Sequence, residues 1–252
     1  MTHRTFAIGD IHGELQHLKV LMGRLPELVE TDTLVFVGDY IDRGPDSAGV
    51  VKYMMELPDR VPAKVVCLRG NHEDGWLRAL NGNWPQFVLP PNNGCYQAML
   101  SFQGREMVPV GEGVAPQDFE TLVLGSFFPP DVLAWMEKLL WWYEDEFAIY
   151  VHAGLPQQDG RFLHPSEVEG EDRTKLLWLR SKSFFRDYVG KPVVFGHTTT
   201  DQLPPELSTY TPEDPDDIWA GPHAIGLDTG CGKEGGFLTA VEFPAMLVYE
   251  SR

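Results

Sequence analysis

Residues 5–13 read TFAIGDIHG, residues 34–44 read LVFVGDYIDRG, and residues 65–73 read VVCLRGNHE. Each is a short apolar run that ends at or one residue before a glycine followed by side chains able to bind a metal or move a proton. Continuous apolar runs of this length suit strands buried on both faces. The segments between them have helical spacing: Leu15, Leu18, Leu21, Met22 and Leu25 in residues 14–25, then Val50, Val51, Met54 and Met55 in residues 47–57. Asp46 is placed to cap the second helix. The βαβαβ rhythm predicts an α/β fold with parallel strands joined by right-handed crossovers.

Working outward, residues 81–146 are rich in proline and aromatics and carry helical spacing at 131–143. They read as a mainly helical excursion from one domain spanning 1–252. Apolar runs then predict strands at 147–151, 192–195, 224–227, 237–243 and 246–249. The Pro-, Asp- and Glu-rich residues 203–217 read as surface loop.

A formal net charge of −17 argues against a broad grip on a nucleic-acid duplex or on anionic membranes. It leaves room for one anionic substrate at a site where bound cations reverse the local field. The three cysteines, Cys67, Cys95 and Cys231, match no zinc spacing and suit reduced, buried thiols. With no signal-peptide pattern at the N-terminus and no apolar run near the ~18 residues of a membrane helix, the expected location is the cytoplasm.

Five motifs hold the chemistry: Gly9-Asp10-Ile11-His12-Gly13, Gly38-Asp39-Tyr40-Ile41-Asp42-Arg43-Gly44, Gly70-Asn71-His72-Glu73, His152-Ala153-Gly154 and Gly196-His197-Thr198. All follow predicted strand ends, where open α/β sheets bind ligands. Oxygen and imidazole donors without thiolate suit Mn, Fe, Zn, Co or Ni better than calcium. Two such ions can share a bridging carboxylate and hydroxide.

Together these motifs resemble the phosphoprotein phosphatase family of metallophosphoesterases, recognised by GDxHG, GDxxDRG, GNHE and two later histidines. The resemblance runs from Gly9 to about Gly236 and implies a four-layer α/β/β/α sandwich with central mixed sheets. It implies two divalent ions, with manganese the first expectation. Asp10 and His12 would hold the first ion and Asp39 would bridge. Asn71, His152 and His197 would hold the second, with Asn71 also beside the phosphate. His72 would be the general acid, with Asp42 fixing its imidazole and raising its pKa. Arg43, and more loosely Arg180, would clamp phosphoryl oxygens. The implied reaction is direct attack by a metal-bridging hydroxide, with no phosphoenzyme.

The motifs define the phosphoryl end of the substrate only. The first expectation is a serine/threonine-type protein phosphatase acting on phosphorylated protein. The alternative is a symmetrical dinucleoside tetraphosphatase, which residues 227–231, Gly235-Gly236 and Leu238-Thr239 resemble. Against that alternative, many such enzymes carry a small residue where this chain has Asp42, and the long helical insert of their larger members is missing. A non-catalytic module is disfavoured by the complete ligand set and His72.

Other residues read as structural. His3, His17, His164 and His223 fit no motif. Arg69 is expected to pair with a buried acid, Glu73 to orient a neighbour or cap a helix, and Asp228 to act behind the ligands or in a turn. Trp76, Trp84, Trp141 and Trp142 are expected in the core. Tyr96, Tyr210 and Trp219 are the best of a weak set for stacking on a nucleobase. The acidic residues 213–217 read as solvated surface.

Overall fold

A computed structural model describes residues 3–82, 84–209, 214 and 217–252. The N-terminal third alternates β1 (Thr5–Ile8), α1 (Leu15–Arg24), β2 (Thr33–Phe36), α2 (Ser47–Glu56), β3 (Lys64–Cys67) and α3 (Asn71–Leu80). The excursion supplies α4 (Cys95–Phe102), α5 (Phe119–Leu124) and α6 (Pro130–Lys138). The chain continues through β4 (Trp142–Glu144), β5 (Ile149–Val151), a hairpin of β6 (Gln157–Gln158) and β7 (Arg161–Phe162), α7 (Lys175–Trp178) and α8 (Lys182–Asp187). It closes with β8 (Val193–Phe195), β9 (Trp219–Ala220), β10 (Ala224–Gly226), β11 (Thr239–Phe243) and β12 (Leu247–Glu250).

Two five-stranded sheets result, ordered β12-β11-β1-β2-β3 and β4-β5-β8-β10-β9. β1, β2 and β3 are parallel, as the crossover pattern predicts, while β11 lies antiparallel on β1 with Thr5 opposite Phe243. In the second sheet β5, β8 and β10 are parallel, with β4 and β9 as antiparallel edges. Both sheets are therefore mixed.

Strand periodicity sorts the core into layers. Phe6, Ile8, Leu34 and Phe36 pack outward with Leu18, Leu21, Val50, Met54 and Trp76 of the helices. The alternate residues Ala7, Val35, Val66 and Val241 face Tyr150, Val194 and Ile225 of the other sheet. On the far side, Ile149, Val151, Val193 and Phe195 pack against Leu176, Phe184 and Phe185 of α7 and α8. Three apolar seams between helices, sheet, sheet and helices give the α/β/β/α sandwich.

One local expectation is corrected. The helix predicted over 131–143 stops at Lys138, because Leu139 is extended, and Trp142–Glu144 pairs with β5 instead. Aromatic residues favour such a half-buried strand. Asp46 does cap α2, accepting from the Gly49 amide at 2.8 Å. All three cysteines are free, with Cys95 and Cys231 buried. No helix among the described residues is long and apolar enough to cross a membrane.

Candidate active site

β1, β2 and β3 end just before Asp10, Asp39 and Asn71, and β5 and β8 of the other sheet end just before His152 and His197. The turns that follow are tight. His12, Asp39, Asp42, Arg43 and His197 all have positive φ, between 46° and 70°. Non-glycine residues in that region cost ~1–3 kcal/mol each, and such residues cluster at functional sites. Two glycines make close approach possible. A Cβ at Gly196 would stand 1.9 Å from Asp10 Oδ1, and one at Gly70 would stand 2.1 Å from Asp39 Oδ1.

The turns gather the donors into two overlapping, fully buried groups: His12, Asp39 and His72, and Asp10, Asp39 and His152. Within each group the donor atoms lie within 4.8 Å of one another, and Asp39 belongs to both. Backbone carbonyls orient the imidazoles. His12 Nδ1–H donates to Ile41 at 3.0 Å, and His152 Nδ1–H donates to Val37 at 2.9 Å, leaving each Nε2 toward the site. Burial pushes the pKa of His12, His152 and His197 down, with the Arg43 guanidinium adding to the shift at His12. Neutral imidazoles are the form that ligates metals.

The donor set fits divalent cations. Neutral His152 presents a lone pair at Nε2 only 2.9 Å from Asn71 Oδ1, another acceptor. His197 Nδ1 is 2.6 Å from the same oxygen. Asp10 Oδ1 and His197 Nε2 are buried with no hydrogen-bond partner. Asp10, Asp39 and Asp228 are all buried. Burial, then the Asp228 and Asp39 charges, push the Asp10 carboxyl well above its usual range. Clustered acceptors and carboxylates of this kind are satisfied by shared cations.

His72 stands at one side of this cluster. Its Nδ1–H donates to Asp42 Oδ2 at 2.6 Å, and the same carboxylate accepts from Trp76 Nε1 at 2.9 Å. Trp76 lies one helical turn after His72 on α3, so both reach Asp42 from one face. That i, i+4 spacing was the available sequence signal for Trp76, a partner the motifs do not reveal. Arg43 donates to His12 Nε2 at 2.6 Å and to His72 Nε2 at 3.2 Å. His12 Nε2 has one lone pair, so it serves either Arg43 or a metal. Arg180 reaches the site's edge, donating to the His197 carbonyl at 3.2 Å.

Glu73 holds the first-sheet turns together. Its carboxylate accepts from the amides of Tyr40 at 2.9 Å, Gly70 at 3.0 Å, Asp39 at 3.1 Å and Ile41 at 3.3 Å. It thus caps α3 and orients the Asp39 turn. Asp228 accepts from the Gly230 amide at 3.0 Å and closes a turn beside Asp10.

Arg69 forms no ion pair with an acid among the described residues, although the charges of Asp74 and Glu73 act on it. It donates to the carbonyls of Met136 at 3.3 Å and Glu137 at 2.8 Å and lies over the Trp141 ring, satisfying the end of α6. Tyr96 and Trp219 are buried, with Tyr96 donating to Asp118 and Trp219 to the Pro204 carbonyl, so neither can stack on a ligand. Tyr210 and part of the acidic 213–217 segment lie outside the described residues. The four unassigned histidines make ordinary contacts, such as His17 with Ser251 and His164 with Glu144.

Comparison with known proteins gives a consistent picture. The symmetrical bis(5'-nucleosyl)-tetraphosphatase of Pseudomonas fluorescens (strain SBW25) is 39% identical over 128 residues, covering 45% of this chain and 44% of that protein. The match thus spans less than half that relative's length. The asymmetrical bis(5'-nucleosyl)-tetraphosphatase PrpE of Oceanobacillus iheyensis (strain DSM 14371 / CIP 107618 / JCM 11309 / KCTC 3954 / HTE831) is 27% identical over 254 residues, covering 94% of this chain and 87% of that protein. A crystal structure of a candidate diadenosine tetraphosphatase superposes with a TM-score of 0.57 at 25% identity, covering 98% of this chain and 92% of that one. Residues 3–213 match the calcineurin-like phosphoesterase family. With that span, this fold and these turns, the chain belongs to the calcineurin-like phosphoesterases.

Proposed function

We propose that the chain is a dinuclear-metal hydrolase that cleaves dinucleoside tetraphosphates symmetrically, releasing two nucleoside diphosphates. The observation that carries the substrate is the likeness to tetraphosphatases, among them a symmetrical enzyme aligned over 98% of this chain at 25% identity. It favours this reading over the phosphoprotein phosphatase that the motifs first suggest.

In this reading Asp10, His12 and Asp39 would hold one ion, and Asp39, Asn71, His152 and His197 would hold the other. Bound divalent ions supply Lewis acidity and a water acidic enough to attack near neutral pH. The chain's own groups do the rest. Arg43 and Arg180 bind equatorial phosphoryl oxygens, and the buried walls keep those charge contacts strong. With Nδ1–H given to Asp42, His72 exchanges a proton with the leaving oxygen through Nε2. Trp76 and Cys95 occupy the remaining sides of the Asp42 carboxylate and hold it still.

The deciding measurement is kcat/KM on diadenosine tetraphosphate beside a serine phosphopeptide. A preference of at least ~100-fold for the tetraphosphate is expected, the discrimination a built polar site achieves. ADP should be the only nucleotide product. A preference for the phosphopeptide overturns the substrate, and ATP with AMP overturns the symmetrical cut. Chelation with EDTA should abolish turnover and added Mn²⁺ should restore it, because the ligand set binds no substrate charge without cations. Undiminished turnover by metal-stripped protein overturns the dinuclear reading.

A further inference from the structure

Beside Arg43 lies a cavity of about 330 Å³ that the reaction described so far does not use. Its size is at the low end for ligand pockets, ~300–1,000 Å³. Arg43 and Lys233 line it together with Met107, Val108, Pro109 and Val110. We propose that this cavity holds the leaving half of the substrate, with Lys233 on its second phosphate and the 107–110 wall against its nucleoside. The assignment rests on the tetraphosphatase reading and adds to it a specificity-determining residue.

Three observations carry it. First, the cavity adjoins the site. Arg43 lines it and also donates to His72 Nε2, the atom that meets the leaving oxygen. Second, Lys233 is exposed and makes no ion pair among the described residues. It sits on a glycine-rich turn pressed onto the site: a Cβ at the adjacent Gly232 would be 2.6 Å from His12 Cβ and 3.4 Å from Arg43 Cβ. The charge of Lys233 is felt by the buried Asp228, yet the exposed ammonium on a short turn suits a phosphate as a point charge. Glu14 and Glu234 also line the cavity, so an anion is attracted there by the position of the two cations and not by the net field. Third, the apolar wall is fixed in place. Gln97, 2% exposed, donates from Nε2 to the carbonyls of Val108 at 3.0 Å and Pro109 at 3.1 Å. Val110 on that wall is 43% exposed, and a nucleoside would cover it. A phosphoserine side chain has neither a second phosphate nor a base to use these features.

The test is calorimetric binding of inorganic phosphate, pyrophosphate and ADP to the manganese-loaded protein. Affinity should rise in that order. Lys233→Ala should cut the pyrophosphate-over-phosphate preference about tenfold, as expected for losing a charge-assisted contact, and Lys233→Arg should keep it. Val110→Asp should cut the ADP-over-pyrophosphate preference about fivefold, because a hydrated carboxylate replaces the apolar contact with the uncharged nucleoside. Both positions are exposed, so the folded state is spared. A pyrophosphate preference that survives Lys233→Ala within twofold overturns the phosphate assignment, and an ADP preference untouched by Val110→Asp overturns the nucleoside wall. These ratios need no turnover, so they fail or hold separately from the kcat/KM comparison.

Discussion

Asp39→Asn is expected to lower kcat on p-nitrophenyl phosphate by at least ~100-fold, the scale of losing a metal bridge. Asp39 is shared by both donor groups, and its Oδ1 also accepts from the His72 amide at 3.0 Å. The substitution is clean in one respect. Asp39 has φ of 53°, and asparagine is among the few residues at ease in that region. The turn therefore survives and only the charge is lost. Burial acts to raise the Asp39 carboxyl, but His152, His72 and His12 outweigh it and hold its pKa down, so the charge is present across the working range. Metal content measured on the same sample should fall with activity. Turnover within tenfold of wild type at saturating Mn²⁺ removes Asp39 from the centre.

Glu73→Ala is expected to cost ~3–5 kcal/mol of stability, because it strands backbone donors in a buried site. Four amides now end on this carboxylate, and the residue itself is fully buried. For a chain of this length that loss corresponds to a fall in Tm of roughly 10 °C. Activity should fall further than stability predicts at room temperature, because the freed amides belong to the turns that present Asp39 and Asn71. A Tm within 2–3 °C of wild type, about 1 kcal/mol, means that the turns hold themselves.

The first five elements were legible because each is set by local pattern. Predicted strands at 5–8, 34–37 and 65–68 and helices at 14–25 and 47–57 fall within one or two residues of those observed. The motif residues were legible because strand ends in such a fold converge. What escaped depends on distant partners. Trp142–Glu144 has helix-compatible flanks and becomes a strand only because β5 offers an edge. Trp219 was read as a stacking surface, yet Phe185 and Phe195 enclose it. Arg69 sits next to a ligand turn, but the end of α6 claims it. Lys233 carried a weak signal, one lysine inside a glycine-rich turn. Its meaning comes from the packing of the adjacent Gly232 against His12, more than 200 residues away in sequence.

The candidate ligands come from both sheets: Asp10, His12, Asp39 and Asn71 from the first, His152 and His197 from the second. Ions held between them act as a cross-link that exists only in the folded chain. Each adds stability by mass action, about 2.7 kcal/mol when free metal exceeds its Kd a hundredfold. Heating the protein with and without Mn²⁺ should therefore separate the two Tm values by several degrees, and the gap should vanish in Asp39→Asn. Metal supply would then set how long the protein resists proteases as well as how fast it works, and metal-stripped protein should be cleaved faster than loaded protein.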